Sequence, residues 1–364
     1  VNGGVTLQAG CYRIETVHTV DSGTLTLEPG VLIEFGSDAG LRFESGGSLA
    51  SNGTSSNPVF LLGNTSTRGH WKGLGFIGDG TTNALRHTVV AHAGSHLWTG
   101  DQTTKAALYV GNTTIEVTNA TLRDNASKAV LAKKGKADLT ISETVFKSNE
   151  VPVRLHGNLV GGFESSNVVE NNDDDRVTVM GGTETARDVI STDQEWHTAG
   201  VPFSVPQNLR LTATLTVGEG TTFEFGEQKG LDVVGGHLTV TGTESNPVRF
   251  RGDVSERGFW QGIRFKNTTA ANRLAHAVVK DAGGQLWHGA DFSKAGVFVQ
   301  GSDVRARLDR CKIANNDVCG VTASGSEYEF TVERCAFEGN VEPIRVAADL
   351  VQGVAANNTY SGND

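Results

Sequence analysis

Two stretches of this 364-residue chain set an indole beside an imidazole and a carboxylate. They read Ala93-Gly-Ser-His-Leu-Trp-Thr-Gly-Asp101 and Ala282-Gly-Gly-Gln-Leu-Trp-His-Gly-Ala-Asp291. An indole can stack on the apolar face of a sugar ring, while His and Asp hydrogen-bond its hydroxyls. Trp98, His96 and Asp101 in the first stretch, and Trp287, His288 and Asp291 in the second, are therefore the candidate ligand-binding residues. Both stretches are too long for a tight turn, and loops on a rigid scaffold are where binding concentrates. The competing reading is a loop whose Trp plugs the flank of the scaffold.

Other reactive groups form weaker patterns. His87 and His92 lie five apart, so on a strand they face opposite sides and make a poor chelating pair. Asn171-Asn-Asp-Asp-Asp-Arg176 is rich in oxygen ligands, which suits Ca²⁺. Its spacing matches neither the EF-hand nor the Gly-rich nonapeptide repeat, and a solvated loop is the favoured reading. No cofactor is expected, and Ca²⁺ is the one ion left open. No residue is nominated as a metal ligand.

Glycoside hydrolysis needs two carboxylates facing one bond. Asp124, Asp138, Asp303, Asp309 and Asp317 form no ladder at a fixed step. His156-Gly157 matches one element of the polygalacturonase pattern, without its other elements. No nucleophile-elbow motif appears. Whether the chain is an enzyme is left open, leaning to no, and no catalytic residue is nominated.

The net charge of −10 argues against a nucleic-acid partner, which would need clustered Lys and Arg. Lys133-Lys134-Gly135-Lys136 is the one basic cluster and reads as a solvated turn. No apolar run approaches the length of a membrane span. With 46 Gly, 7 Pro and 1 Met, the composition suits short strands and many turns. Four Cys do not make a disulfide framework.

The elements that must position these residues come in copies. Thr-Arg-Gly-His-Trp-Lys-Gly-Leu-Gly-Phe76 returns as Glu-Arg-Gly-Phe-Trp-Gln-Gly-Ile-Arg-Phe265, an offset of 189 between Trp71 and Trp260. Ser56-Asn-Pro-Val59 returns as Ser245-Asn-Pro-Val248. Phe146, Asn149 and Pro152 return as Phe337, Asn340 and Pro343, at an offset of 191. Two halves follow, 1–180 and 181–364, read as one continuous rod. Inside each half runs a shorter step: Asn125 to Asn149 is 24 residues and Asn172 follows 23 later, as Asn316, Asn340 and Asn363 do.

A period of this length marks a repeat architecture. Segments such as Leu139-Thr-Ile-Ser-Glu-Thr-Val-Phe146 alternate as strands, and no helix is available for crossovers. A coil of about three short strands, each pairing in parallel with its copy in the next coil, buries the apolar positions. The expected fold is all-β, a right-handed parallel β-helix of about fifteen coils and about 70 Å in length. Asn at a fixed turn takes left-handed geometry and bonds its copies above and below. In the Trp motif, alternation sends Leu74, Phe76, Ile263 and Phe265 inward, and leaves Trp71 and Trp260 outward or at a corner. Cys311 and Cys335, 24 apart, stack inward in adjacent coils as free thiols, although a disulfide lies within Cα reach.

The blocks CYRIETVHTVDSGTLTLEPGVLIEF, GSLASNGTSSNPVFL, HWKGLGF and LRHTVVAHAG, with VPFSVPQNLRLTATLTVGEGTTFEF opening the second copy, resemble the secreted right-handed β-helix repeat proteins of bacteria. The resemblance covers most of the chain. It implies export, an extracellular or cell-surface setting, and adhesin-like or carbohydrate-associated roles. The expected function is a non-catalytic binding or adhesion module for polysaccharide or cell-surface glycan. The alternatives are a polysaccharide-active lyase or glycoside hydrolase with a divergent site, and a structural spacer of a larger surface protein. Neighbouring domains of a longer protein fit the short C-terminal segment.

Overall fold

The computed structural model describes residues 4–133, 137–181, 188–268, 271–287, 289, 291–301, 304–325, 329–347, 351–354 and 357–364. The chain divides into two compact units, residues 1–177 with 199–201, and residues 178–198 with 202–364. Each is a parallel β-helix. In the first unit, one column of strands runs Gly10–Ile14, Val31–Phe35, Val59–Gly63, Thr88–Ala91, Thr121–Arg123 and Val145–Lys147, each paired in parallel with the next. A second column contains Gly73–Phe76, Leu108–Val110, Lys128–Ala132 and Val151–His156. A third contains Thr82–Arg86, Thr114–Thr118 and Asp138–Ser142. The long strands Val17–Leu27 and Gly40–Asn52 round a corner, so that each serves the second and third columns in turn.

The second unit repeats this plan. Phe203–Val205, Thr222–Phe225, Val248–Gly252, Ala277–Lys280, Lys312–Ala314, Ala336–Glu338 and Thr359–Ser361 form its counterpart of the first column. Every second residue points inward, which is why the sequence alternates. Val31, Ile33 and Phe35 are fully buried, while Leu32 and Glu34 are partly exposed. The rungs stack like on like. Phe223 lies flat on Phe250, with ring centroids 4.9 Å apart, and Phe43 on Phe76 at 5.0 Å.

Corners are made by left-handed residues in pairs. In the first unit, His87 and His92 bracket the strand Thr88–Ala91, Asn119 and Asp124 bracket Thr121–Arg123, and Glu143 and Ser148 bracket Val145–Lys147. All six have positive φ. In the second unit His276 and Asp281, then Arg310 and Asn315, do the same. Left-handed backbone is costly for residues with a side chain, and Asn and Asp bear it best. The five-residue spacing of His87 and His92 is thus the distance between two corners.

The Asn ladder closes the next turn. The Asn125 amide donates to Asn149 Oδ1 at 2.9 Å and to the Val90 carbonyl at 3.2 Å. The Asn149 amide donates to Asn172 Oδ1 at 2.9 Å and to the Leu122 carbonyl. Asn316, Asn340 and Asn363 repeat the arrangement. One detail differs from expectation. The left-handed residue is the one before each of Asn125, Asn149, Asn172 and Asn316, namely Asp124, Ser148, Asn171 and Asn315. The side chain makes the ladder and its neighbour makes the bend.

Trp71 and Trp260 correct the reading from alternation. Both are fully buried. Trp71 stacks on Phe35 at 3.9 Å and donates from Nε1 to the Ala91 carbonyl at 2.7 Å. Trp260 stacks on Phe225 at 4.4 Å and donates to the Lys280 carbonyl. Gly73 and Gly262, both at φ 112°, break the alternation two residues after each Trp. Parity therefore restarts at the corner, and Trp71, Leu74 and Phe76 all point inward. Among the described residues, no helix is long and apolar enough to cross a membrane.

Candidate functional site

The loop after Ala93 folds down onto the outer face of its own sheet. Trp98 is 3 % exposed and donates from Nε1 to the Ala106 carbonyl at 3.2 Å. Its ring lies over Gly40 and Gly75, where a Cβ at Gly75 would overlap it. Lys72 Nζ sits 4.8 Å from the ring centroid. Burial, with repulsion from Arg42, pulls the Lys72 pKa down. The loop's polar groups are also occupied. Asp101 accepts from the Thr103 amide and hydroxyl and pairs with Lys133. The Lys133 ammonium, helped by the Thr103 donors, holds the Asp101 carboxyl well below the usual carboxylate range. His96 is exposed and pairs with Asp38 at 2.8 Å.

In the second unit Trp287, 8 % exposed, covers Gly230 in the same way, with its ring 2.8 Å from where a Cβ would sit. Where the first unit has Gly75, the second has Arg264. Its guanidinium lies 4.7 Å from the Trp287 ring centroid and forms two 2.7 Å bonds to the carboxylate of Asp232, both side chains being buried. Asp291 opens a short 3-10 turn, Asp291–Ser293. His288 lies outside the described residues. In the first unit Trp98 packs on its own sheet, and His96 and Asp101 pair with Asp38 and Lys133; in the second Trp287 packs in the same way.

The remaining candidates are likewise occupied. The Asn171–Arg176 segment satisfies itself: Asp175 accepts from the Asn171 and Asn172 amides, Asp174 pairs with Arg176, and Asp173 pairs with Arg68. Among the described residues, no group of three or more His, Cys, Asp or Glu is arranged to hold a metal ion. His156 caps the 3-10 turn Gly157–Gly162, its Nδ1 accepting from the Asn158 amide at 3.1 Å. Cys311 and Cys335 are free and buried. The Cys311 amide donates to Cys335 Sγ at 3.3 Å, where in the first unit the Ala120 amide donates to the Thr144 hydroxyl. Burial pushes the Cys311 thiol up, and that of Cys319 up to about 12.

An open groove lies elsewhere, on a corner of the second unit. It has a volume of about 420 Å³ and is lined by Glu244, His276, Arg310, Lys312 and Arg334, among others. A second hollow, sharing Glu244, His276, Arg310 and Lys312 with it, extends it to Thr243 and Pro247. His276, Arg310 and Arg334 are the left-handed residues of three successive coils, so they stack along one edge. Behind them Asp309, with a side chain 4 % exposed, accepts from Arg334 Nε at 2.9 Å and Arg310 Nη1 at 3.2 Å. Lys312 pairs with Glu338 at 2.5 Å. Reading the sequence for chemistry missed this edge, because no two of its residues are close in sequence except around Arg310. Its signal is the step of 24 from Arg310 to Arg334, the same step that marks the Asn ladder.

The model of the pectate-lyase-like β-helix domain matches residues 1–201, more than half of the chain. The chain belongs to this family. No curated protein matches the chain. Among solved structures, the A-module of the Azotobacter vinelandii mannuronan C-5 epimerase AlgE6 aligns over 100 % of this chain and 90 % of its own, at 12 % identity and a TM-score of 0.22. In this pectate-lyase-like β-helix the corner groove of the second unit is lined by residues of successive coils.

Proposed function

We propose that the chain is a non-catalytic, exported binding module that holds a polysaccharide. The observation that carries this reading is the groove of about 420 Å³ on the second unit, open to solvent and crossing successive coils. From Glu244 to Arg334 it spans about three rung steps, or roughly 14 Å at the spacing of paired strands. A short oligosaccharide fits such a length, and the walls supply hydroxyl-binding donors and acceptors at each rung. Membership in the pectate-lyase-like family supports a carbohydrate ligand. The groove's lining supports binding over hydrolysis: it holds one carboxylate, Glu244, where glycoside hydrolysis uses two, and the nearby Asp309 and Glu338 are paired with Arg310, Arg334 and Lys312.

The test is a glycan array with the full chain, followed by an assay for new reducing ends and for unsaturated products on every polysaccharide bound. Binding without new ends is the expected result. New ends, or the absorbance of an unsaturated uronate, would establish the lyase or hydrolase alternative. Absence of binding to all glycans would leave the spacer role in its place.

A further inference from the structure

One corner of the first unit holds two imidazoles with buried nitrogens that make no hydrogen bond. His92, 6 % exposed, is the left-handed residue after the strand Thr88–Ala91. His70 ends the loop that follows the strand Val59–Gly63, and its amide donates to the His92 carbonyl at 2.7 Å. That bond sets the two residues side by side. Both side chains lie against Gly63, where a Cβ would stand 3.1 Å from His70 Cδ2 and 3.1 Å from His92 Cβ. The glycine leaves room at this point. His70 Nε2 and His92 Nδ1 are the buried, unpartnered atoms.

Buried polar atoms without partners are costly and rare, and a bound ion or water is a common reason for them. The fold itself does not impose these two. At the offset of 189, Phe259 stands for His70 and Asp281 for His92. The Phe259 amide donates to the Asp281 carbonyl at 2.9 Å, so the backbone is the same. Phe259 packs against Gly252 and brings no polar side-chain atom. Asp281 accepts from the Asn315 side-chain amide at 2.6 Å and pairs with Lys280 at 3.0 Å. The second unit thus closes this corner with its carboxylate satisfied, and the first closes it with two nitrogens unmet.

We propose that His70 and His92 bind a divalent transition-metal ion through His70 Nε2 and His92 Nδ1, with solvent at its remaining positions. Either imidazole nitrogen is a good ligand for Zn²⁺, Ni²⁺ or Cu²⁺, whereas Ca²⁺ and Mg²⁺ take oxygen. Two protein ligands make an open site, unlike the four of a closed structural zinc site. Residues 64–68 are exposed and His70 is half-buried, which gives an ion a way in from solvent. The charged groups that bear on His92 are Arg123 and Asp124, and these bond each other at 2.6 Å. The Gly63 carbonyl also faces the ring. This site is independent of the polysaccharide reading.

The experiment titrates the EDTA-treated, dialysed full chain with Zn²⁺, Ni²⁺, Ca²⁺ and Mg²⁺ by calorimetry, and follows each with a thermal melt. The variants are His70→Phe, which copies the second unit, and His92→Asn, which suits φ 67°. The control, His18→Asn with His96→Asn, removes two exposed imidazoles. The expected result is one equivalent of Zn²⁺ or Ni²⁺ bound with a raised melting temperature, and no response to Ca²⁺ or Mg²⁺. Each site variant should lose at least about tenfold in affinity, as even outer-shell changes do at metal sites. The control should keep it. Both variants should fold, with melting curves in EDTA like that of the parent. No transition metal bound by the parent would overturn the proposal and leave a water between the rings. Equal losses in control and site variants would overturn it in favour of exposed imidazoles. Binding without a rise in melting temperature would do the same.

Discussion

The indole of Trp98 fills the space above Gly75, so that Gly75 has no room for a side chain. The loop and the glycine are two halves of one packing unit. Replacing Gly75 with Ala should destabilise the first unit by about 1–3 kcal/mol, the usual cost of overpacking. Chemical denaturation measures it. In a Trp98→Ala background the same substitution should cost much less, because the obstructing ring is gone. Equal costs in the two backgrounds would show that the ring does not sit on Gly75.

Asn149 stands mid-ladder, with Asn125 on one side and Asn172 on the other. Its amide also satisfies the Leu122 carbonyl, and its oxygen accepts from the Asn125 backbone. Asn149→Ala strands several buried partners together, at a cost of roughly 3 kcal/mol by the usual penalty for unmet buried groups. Asn363→Ala, at the last rung of the second ladder, removes fewer partners and should cost less. Urea denaturation of both variants checks the order.

Arg264 and Asp232 are a buried pair beneath Trp287. Asp232→Ala leaves a guanidinium without its main partner and should cost roughly 3 kcal/mol or more. Asp232→Leu combined with Arg264→Met should recover most of that loss, since an apolar pair of similar volume carries no desolvation penalty. A double variant no better than the single one would contradict this.

Acid should weaken the first unit through His92. Burial, with repulsion from Arg123, depresses its pKa below the ordinary 6.5. The unfolded chain therefore takes up the proton first. The stability is present above pH 6.5 and is lost as pH falls below it, through the lower folded value. His92→Asn keeps a residue suited to φ 67° and removes the titration. Melting temperatures from pH 8 to 5 should fall less steeply for the variant than for the parent.

Much of the fold was legible in the sequence because its causes repeat. The step of 24 from Asn125 to Asn149, and the alternation in Val31-Leu-Ile-Glu-Phe35, each report one coil directly. Trp71 was misread because Gly73, at φ 112°, resets parity, and a glycine's φ is not written in its neighbours. Trp98 and Trp287 suggested stacking on sugars. Their burial depends on glycines far away in sequence, Gly40 and Gly75 for one and Gly230 for the other. The groove's edge was hidden for a different reason. Arg310 and Arg334 become neighbours only once the coils are stacked.

The most direct measurement is a crystal structure of the full chain with the tightest-binding oligosaccharide from the array. The expected result is an intact oligosaccharide along the second unit's corner, touching His276, Arg310 and Arg334. An oligosaccharide seated over the Trp98 or Trp287 loop, or one found cleaved, would contradict it.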